Sequence, residues 1–249
     1  MTSELHILHR KYGRPKTLSD PFHDNTPAGL RELVAKPDER LGWGDFKDLL
    51  GPHLPAGTYD EVVYFLPLAF DHVRAKNGDA LDLCSSLAWF CSEYSDRLAS
   101  DNVVEAARAE LGALLREWTA RFAIVHFDKS ACASKGWSLG HFDLVEMSET
   151  VCEMLCDLVR YTRHADIAEQ FIVDLVDFDA NPVVAAWLLE LIRSREDVAY
   201  RPPLLPRLEE ASIDHRLLRI AYESTQTNEQ IRESSPTYWR DTLFKLGIA

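Results

Sequence analysis

No apolar run in the 249 residues approaches the roughly 18 that a membrane-spanning helix requires. The first residues carry Glu4, His6, His9, Arg10 and Lys11 where a secretory leader needs an apolar core, so a soluble cytoplasmic protein is expected. No CxxC or HxxxH pairing occurs. The five cysteines, Cys84, Cys91, Cys132, Cys152 and Cys156, are an odd set, four of them inside helix-patterned segments, which points to reduced thiols and not to a disulfide framework. The chain also lacks a Gly-rich phosphate loop, a Gly-x-Ser-x-Gly elbow and the Glu-x-x-His pairs of di-iron bundles. No cofactor is therefore expected. Strand-period alternation is missing as well; Arg121–Phe127 comes nearest, and it reads equally as a helix continuing.

Basic residues are the scarcer sign, 27 against 40 acidic, for a net charge of −13. Residues 1–57 hold 8 basic and 8 acidic side chains and residues 201–249 hold 7 and 7, so both ends are neutral. Residues 58–128 hold 6 and 12, and residues 129–200 hold 6 and 13, so the middle carries the imbalance. A negative field without a Lys/Arg stripe repels phosphate backbones, which argues against nucleic acid as a partner, and it attracts a basic protein.

Along the chain, residues 1–57 are cut by prolines and glycines from Gly13 to Gly57 into pieces, with short helices expected near 3–12, 27–35 and 43–50. Phe22, Leu30, Leu33, Trp43, Phe46, Leu49 and Leu50 argue that this strap packs on a helical body formed by residues 58–249. Thr58 with Glu61 is a capping box, and Pro67 predicts a kink near Val63–Leu66 or two shorter helices, ending at Asn77-Gly78. Asp79 caps a helix whose Ala80, Cys84, Leu87, Cys91, Tyr94 and Leu98 form one seam. Asn102 and Glu105 open the next, with Val104, Ala107, Leu111, Leu114, Trp118 and Val125 inward.

The period is lost from His126 to His141, and residues 129–141 mark a weak subdivision of the body. From His141 to Arg193 three helices follow in close succession. Leu144, Met147, Val151, Met154, Leu158 and Tyr161 share one face of the first, and Asp166 with Glu169 resembles a capping box for the second. Asn181-Pro182 starts a third that is apolar all round except Glu190, so it belongs at the centre of the packing. After the proline-rich step at 201–206, one helix is expected over about 206–224 and a last one from Ser235-Pro236, with Trp239, Leu243 and Leu246 inward and Gly247 as its stop. The expected fold is all-α, a compact multi-helix domain of antiparallel helix hairpins, with an α-α superhelix-like stack as the alternative arrangement.

Few constellations carry chemistry. His126, Asp128, Cys132, His141 and Asp143 gather a nucleophile, bases and acids around the irregular stretch, which makes Cys132, His126 and His141 the catalytic candidates. His23-Asp24 is the dipeptide that metal-dependent phosphohydrolases use, but Pro21 and Pro27 flank it and point to a turn, so no metal site is assigned. Cys152 and Cys156 share a helix face without further ligands and read as small core hydrophobes. The acidic row Glu146, Glu149, Glu153 and Asp157, continued by Asp174, Asp177 and Asp179, is the candidate binding surface.

Two functions remain open at this point. One is a non-enzymatic module that docks a basic protein, in concrete form a bacterial immunity or antitoxin-like inhibitor of a basic toxin domain. The other is a helical hydrolase or metal-dependent phosphohydrolase-like enzyme built on the 126–143 loop or on His23 and Asp24.

Overall fold

The computed structural model describes residues 4–21, 23, 25–51, 56–75, 81–127, 141–160, 164–179, 181–196, 201–234 and 236–248. Every element among them is helical, so the fold is all-α. Two compact units divide the chain, one of residues 1–114 with 161–164, the other of residues 115–160 with 165–249.

In the first unit a 3-10 turn, Glu4–His6, runs into α1 (Ile7–Tyr12), followed by α2 (Pro27–Ala35) and α3 (Trp43–Leu50). α2 and α3 start for local reasons. Thr26 Oγ1 accepts from Gly29 N at 3.1 Å ahead of Pro27, and the Asp45 carboxylate accepts from Gly42 N at 2.7 Å. Leu5, Leu8, Leu33, Phe46, Leu49 and Leu50 are buried, so this segment packs as its apolar residues require. Trp43 departs from the expected inward set. It is 39% exposed, with Lys47 Nζ 4.7 Å from its ring centroid. Phe22 lies outside the described residues.

The helix opened by Thr58 breaks where Pro67 removes a ladder bond, giving α4 (Tyr59–Val62), a 3-10 turn (Val63–Phe65) and α5 (Leu66–Ala75). Glu61 Oε2 accepts from Thr58 N at 2.8 Å and from Ser19 Oγ at 2.7 Å. Burial pushes the Glu61 carboxyl up, but these bonds outweigh it and hold it below the usual range. The stop at Asn77-Gly78 and the cap at Asp79 fall outside the described residues.

The continuous seam expected through Leu98 is in fact interrupted at Tyr94, between α6 (Leu81–Glu93) and α7 (Ser95–Ser100). The Tyr94 ring lies 4.8 Å from Phe90 and 5.2 Å from Tyr59 between ring centroids, while Cys84, Leu87, Cys91 and Leu98 remain buried. The next helix, α8 (Val104–Phe127), starts two residues later than Asn102. Asn102 has φ +58 and donates through its backbone to Ala99 O at 3.0 Å, closing a turn instead of a cap, a conformation asparagine tolerates. The division between the two units falls inside α8.

The second unit is built around α9 (His141–Arg160), α10 (Ala165–Val176) and α11 (Pro182–Arg193). Val151, Met154 and Leu158 are buried on α9 as the period demands. Leu144 and Met147 lie on its backbone, with side chains outside the described residues, as is Tyr161. Asp166 is not a cap, because α10 already begins at Ala165; Glu169 instead accepts from the Arg207 backbone amide at another helix start. Asn181 Oδ1 accepts from Val183 N at 3.1 Å and Val184 N at 3.4 Å, which fixes the start of α11. All eight residues from Ala185 to Ile192 are buried. Trp187, fully buried, donates through Nε1 to Thr119 O at 2.9 Å.

The single helix expected over 206–224 is two, α12 (Pro206–Ile213) and α13 (His215–Thr227). Asp214 divides them. Its carboxylate accepts from Arg216 N and Leu217 N at 3.0 Å, so a residue read as interior is a cap. A short helix not expected from the sequence, α14 (Glu229–Ser234), precedes α15 (Pro236–Lys245). Trp239 of α15 is buried, and its Nε1 donates to Ile231 O at 2.9 Å. Gly247, at φ +65, ends α15 with bonds from Gly247 N to Phe244 O and from Ile248 N to Leu243 O, the paired closure that favours glycine. α11 packs against α9, α10, α13 and α15, so the helix with the most continuous apolar sequence is the hub. No described helix is long and apolar enough to cross a membrane.

Candidate functional site

The acidic row runs along α9 and α10 and into the turn that follows α10. On α9, Glu153 is exposed and Asp157 half-buried, while Val151, Cys152, Met154, Leu155 and Leu158 on the same helix are buried. Glu146 and Glu149 lie on the α9 backbone, with side chains outside the described residues. At the far end of α10, Asp177 and Asp179 are exposed, and Asp179 sits at φ +43 in the turn before Asn181. Asp174 is partly neutralised. It accepts from Gln170 Nε2 at 2.9 Å and lies 3.7 Å from Arg116 Nη1.

The Cys156 thiol registers the field of two of these carboxylates. Burial pushes the Cys156 thiol up, and the Asp157 and Glu153 carboxylates push it further. Burial likewise raises the Glu169 carboxyl; the Glu210 carboxylate adds to this and the bond from Arg207 N opposes it. Several cations of this unit are meanwhile committed to acids, Arg193 to Glu190 at 2.8 Å, Arg195 to Glu209 at 3.2 Å and Arg207 to Glu210 at 3.0 Å. Glu153 and Asp157 thus place negative charge on a helix whose buried side fixes its geometry.

The catalytic candidates do not form a described constellation. Cys132 and Asp128 lie outside the described residues. His126, expected in an irregular stretch, is in the last turn of α8, because the helix continues through Phe127; His141 is the first residue of α9. Their side chains lie outside the described residues. His23 occupies a turn, with φ +58 and its backbone amide donating to Asp20 O at 3.1 Å; Asp24 lies outside the described residues. Cys152 is buried, and Cys156 Sγ lies 3.6 Å from Arg201 O. Among the described residues no group of three or more His, Cys, Asp or Glu side chains could hold a metal ion.

Two polar centres were not apparent from the sequence. In the first unit Asp101 accepts from Lys11 Nζ at 2.5 Å, Tyr59 OH at 2.7 Å and Tyr12 OH at 2.8 Å. Burial pushes the Asp101 carboxyl up, but the three donors outweigh it and hold it below the usual range. In the second unit Glu190, fully buried, takes Arg193 through both carboxylate oxygens at 2.8 and 3.0 Å, and also takes Ser148 Oγ and Ser194 Oγ, each at 3.1 Å. Both carboxylates have their acceptor capacity filled by the protein's own donors, so they tie elements together and leave little for a substrate. The lone glutamate on an apolar helix was a visible signal for the second; Asp101, at the end of a helix seam, offered none. Comparison with family models, curated proteins and solved structures returns no match.

Proposed function

We propose that this chain is a non-enzymatic binding module whose second unit docks a basic protein through the outward carboxylates of α9 and α10. The observation that carries this reading is the split character of α9. Its buried side fixes the helix, while Glu153 and Asp157 add negative potential strong enough to act on the neighbouring Cys156 thiol. Carboxylates on a rigid face steer an oppositely charged partner and lose little conformational freedom when it arrives. The concrete version is an immunity or antitoxin-type inhibitor of a basic toxin domain, supported by the charge balance of residues 129–200, 6 basic against 13 acidic.

A pull-down with the full chain at low and moderate salt tests this reading. Recovery of one basic protein whose yield drops steeply between the two salts supports it, and in the inhibitor version co-production of the chain relieves growth arrest caused by that protein. Recovery of no partner, together with a tightly held metal found by elemental analysis, contradicts it and favours the enzyme reading.

A further inference from the structure

In the first unit a cleft of about 510 Å³ opens between α2 and α3, lined by Asn25, Leu33, Lys36, Arg40, Asp45 and Asp48 among others. That volume is in the range of small-ligand sites. We propose that this cleft binds a small zwitterion, a free amino acid or a dipeptide, with the ligand ammonium at Asp48 and its carboxylate at Arg40.

The charges of the lining decide the ligand class. Lys36 Nζ lies 2.5 Å from Asp45 Oδ2, and the same oxygen accepts from Gly42 N at 2.7 Å, so these two side chains neutralise each other. Three charged groups of the lining, Arg40, Glu32 and Asp48, make no ion pair among the described residues. Asp48 is half-buried and no described side chain donates to it; burial first, and the Asp45 carboxylate second, raise its carboxyl above the usual range against the opposing charge of Lys47, whose ammonium lies over the Trp43 ring. A carboxylate in that position gains most from an ammonium. A simple amine leaves Arg40 without a counter-charge, and a simple acid leaves Asp48 and Glu32 without one. A ligand with both signs satisfies both ends, and Leu33, Ala35 and Pro37 offer apolar wall to the carbon between them. Asp48 belongs to α3, whose buried Phe46, Leu49 and Leu50 fix the helix, so the anionic end is preorganised.

The test is calorimetric titration of the full chain with three probes: alanyl-leucine, its N-acetylated form without an ammonium, and its amide without a carboxylate. Alanyl-leucine should bind, and each blocked form should bind at least about tenfold more weakly, the effect of one lost charge-assisted contact. Asp48→Asn should remove the preference over the acetylated form, and Arg40→Gln the preference over the amide. Affinity should also fall as pH drops through the raised Asp48 value. Equal binding of the three probes, no binding of alanyl-leucine at millimolar concentration, or preferences unchanged in the two variants would overturn the proposal. Arg40 is exposed, so Arg40→Gln remains decisive if Asp48→Asn perturbs folding. The acidic face of the second unit plays no part in this assay, and either reading can fail without the other.

Discussion

Three carboxylates in the first unit, Asp101, Asp38 and Glu61, each gather several donors of the fold, whereas Glu153, Asp177 and Asp179 in the second are exposed. Asp101 collects Lys11, Tyr12 and Tyr59; Asp38 pairs with Arg14 and takes Tyr64 OH at 2.6 Å; Glu61 ties Ser19 to Thr58. The helices there are short, 6, 9 and 8 residues for α1 to α3, and each presents few apolar positions. Polar cross-links supply the specificity that such short helices cannot. The second unit instead has α9 of 20 residues beside a helix whose residues Ala185 to Ile192 are all buried, with Glu190 as a fully buried internal link. On that surface Glu153, Asp177 and Asp179 are exposed, where a partner can reach them.

Removing side chains from each unit tests that contrast. The largest effect should come from Trp187→Ala, which empties the hub of the second unit and removes the indole bond to Thr119 O; denaturant unfolding should show a loss of about 3–5 kcal/mol. Next is Asp101→Asn, expected to lose about 2–4 kcal/mol because three donors face a weaker acceptor. This loss depends on pH with a known sign. The folded Asp101 carboxyl titrates below its unfolded value, so its contribution is present above the ordinary aspartate range and disappears as pH falls through the depressed folded value. Wild type and Asp101→Asn should therefore converge in acid; a constant gap would contradict the assignment. Asn181→Ala should lose about 1 kcal/mol by exposing the first amides of α11. The smallest effect is expected from Glu153→Gln with Asp157→Gln, within about 0.5 kcal/mol of wild type. A loss as large as that of Asp101→Asn would erase the contrast between the units.

Much of the architecture was legible before the structure. Helix starts written by a single cap, Thr58 with Glu61 and Asn181-Pro182, lie where the sequence places them, because the signal and its effect are only a few residues apart. Boundaries failed where a competing local bond decides. Asp214 was hidden inside an apolar period and caps α13, and Asn102 closes a turn where a cap was expected. The second polar centre was half legible, since Glu190 interrupts an apolar helix while its donor Ser148 is 42 residues away. Lys11 and Tyr59 reach Asp101 from 90 and 42 residues away, and no period encodes such meetings. The cleft between α2 and α3 was invisible for the same reason, as it depends on where two separate helices lie.

The most direct measurement is the association rate of the recovered basic partner with wild type and with Glu153→Lys/Asp157→Lys, followed across ionic strength. The wild-type rate should fall steeply with salt, the charge-reversed rate should be at least about tenfold lower at low salt, and the two should converge at high salt with unfolding curves unchanged. Equal rates for the two proteins at low salt would contradict docking through these carboxylates.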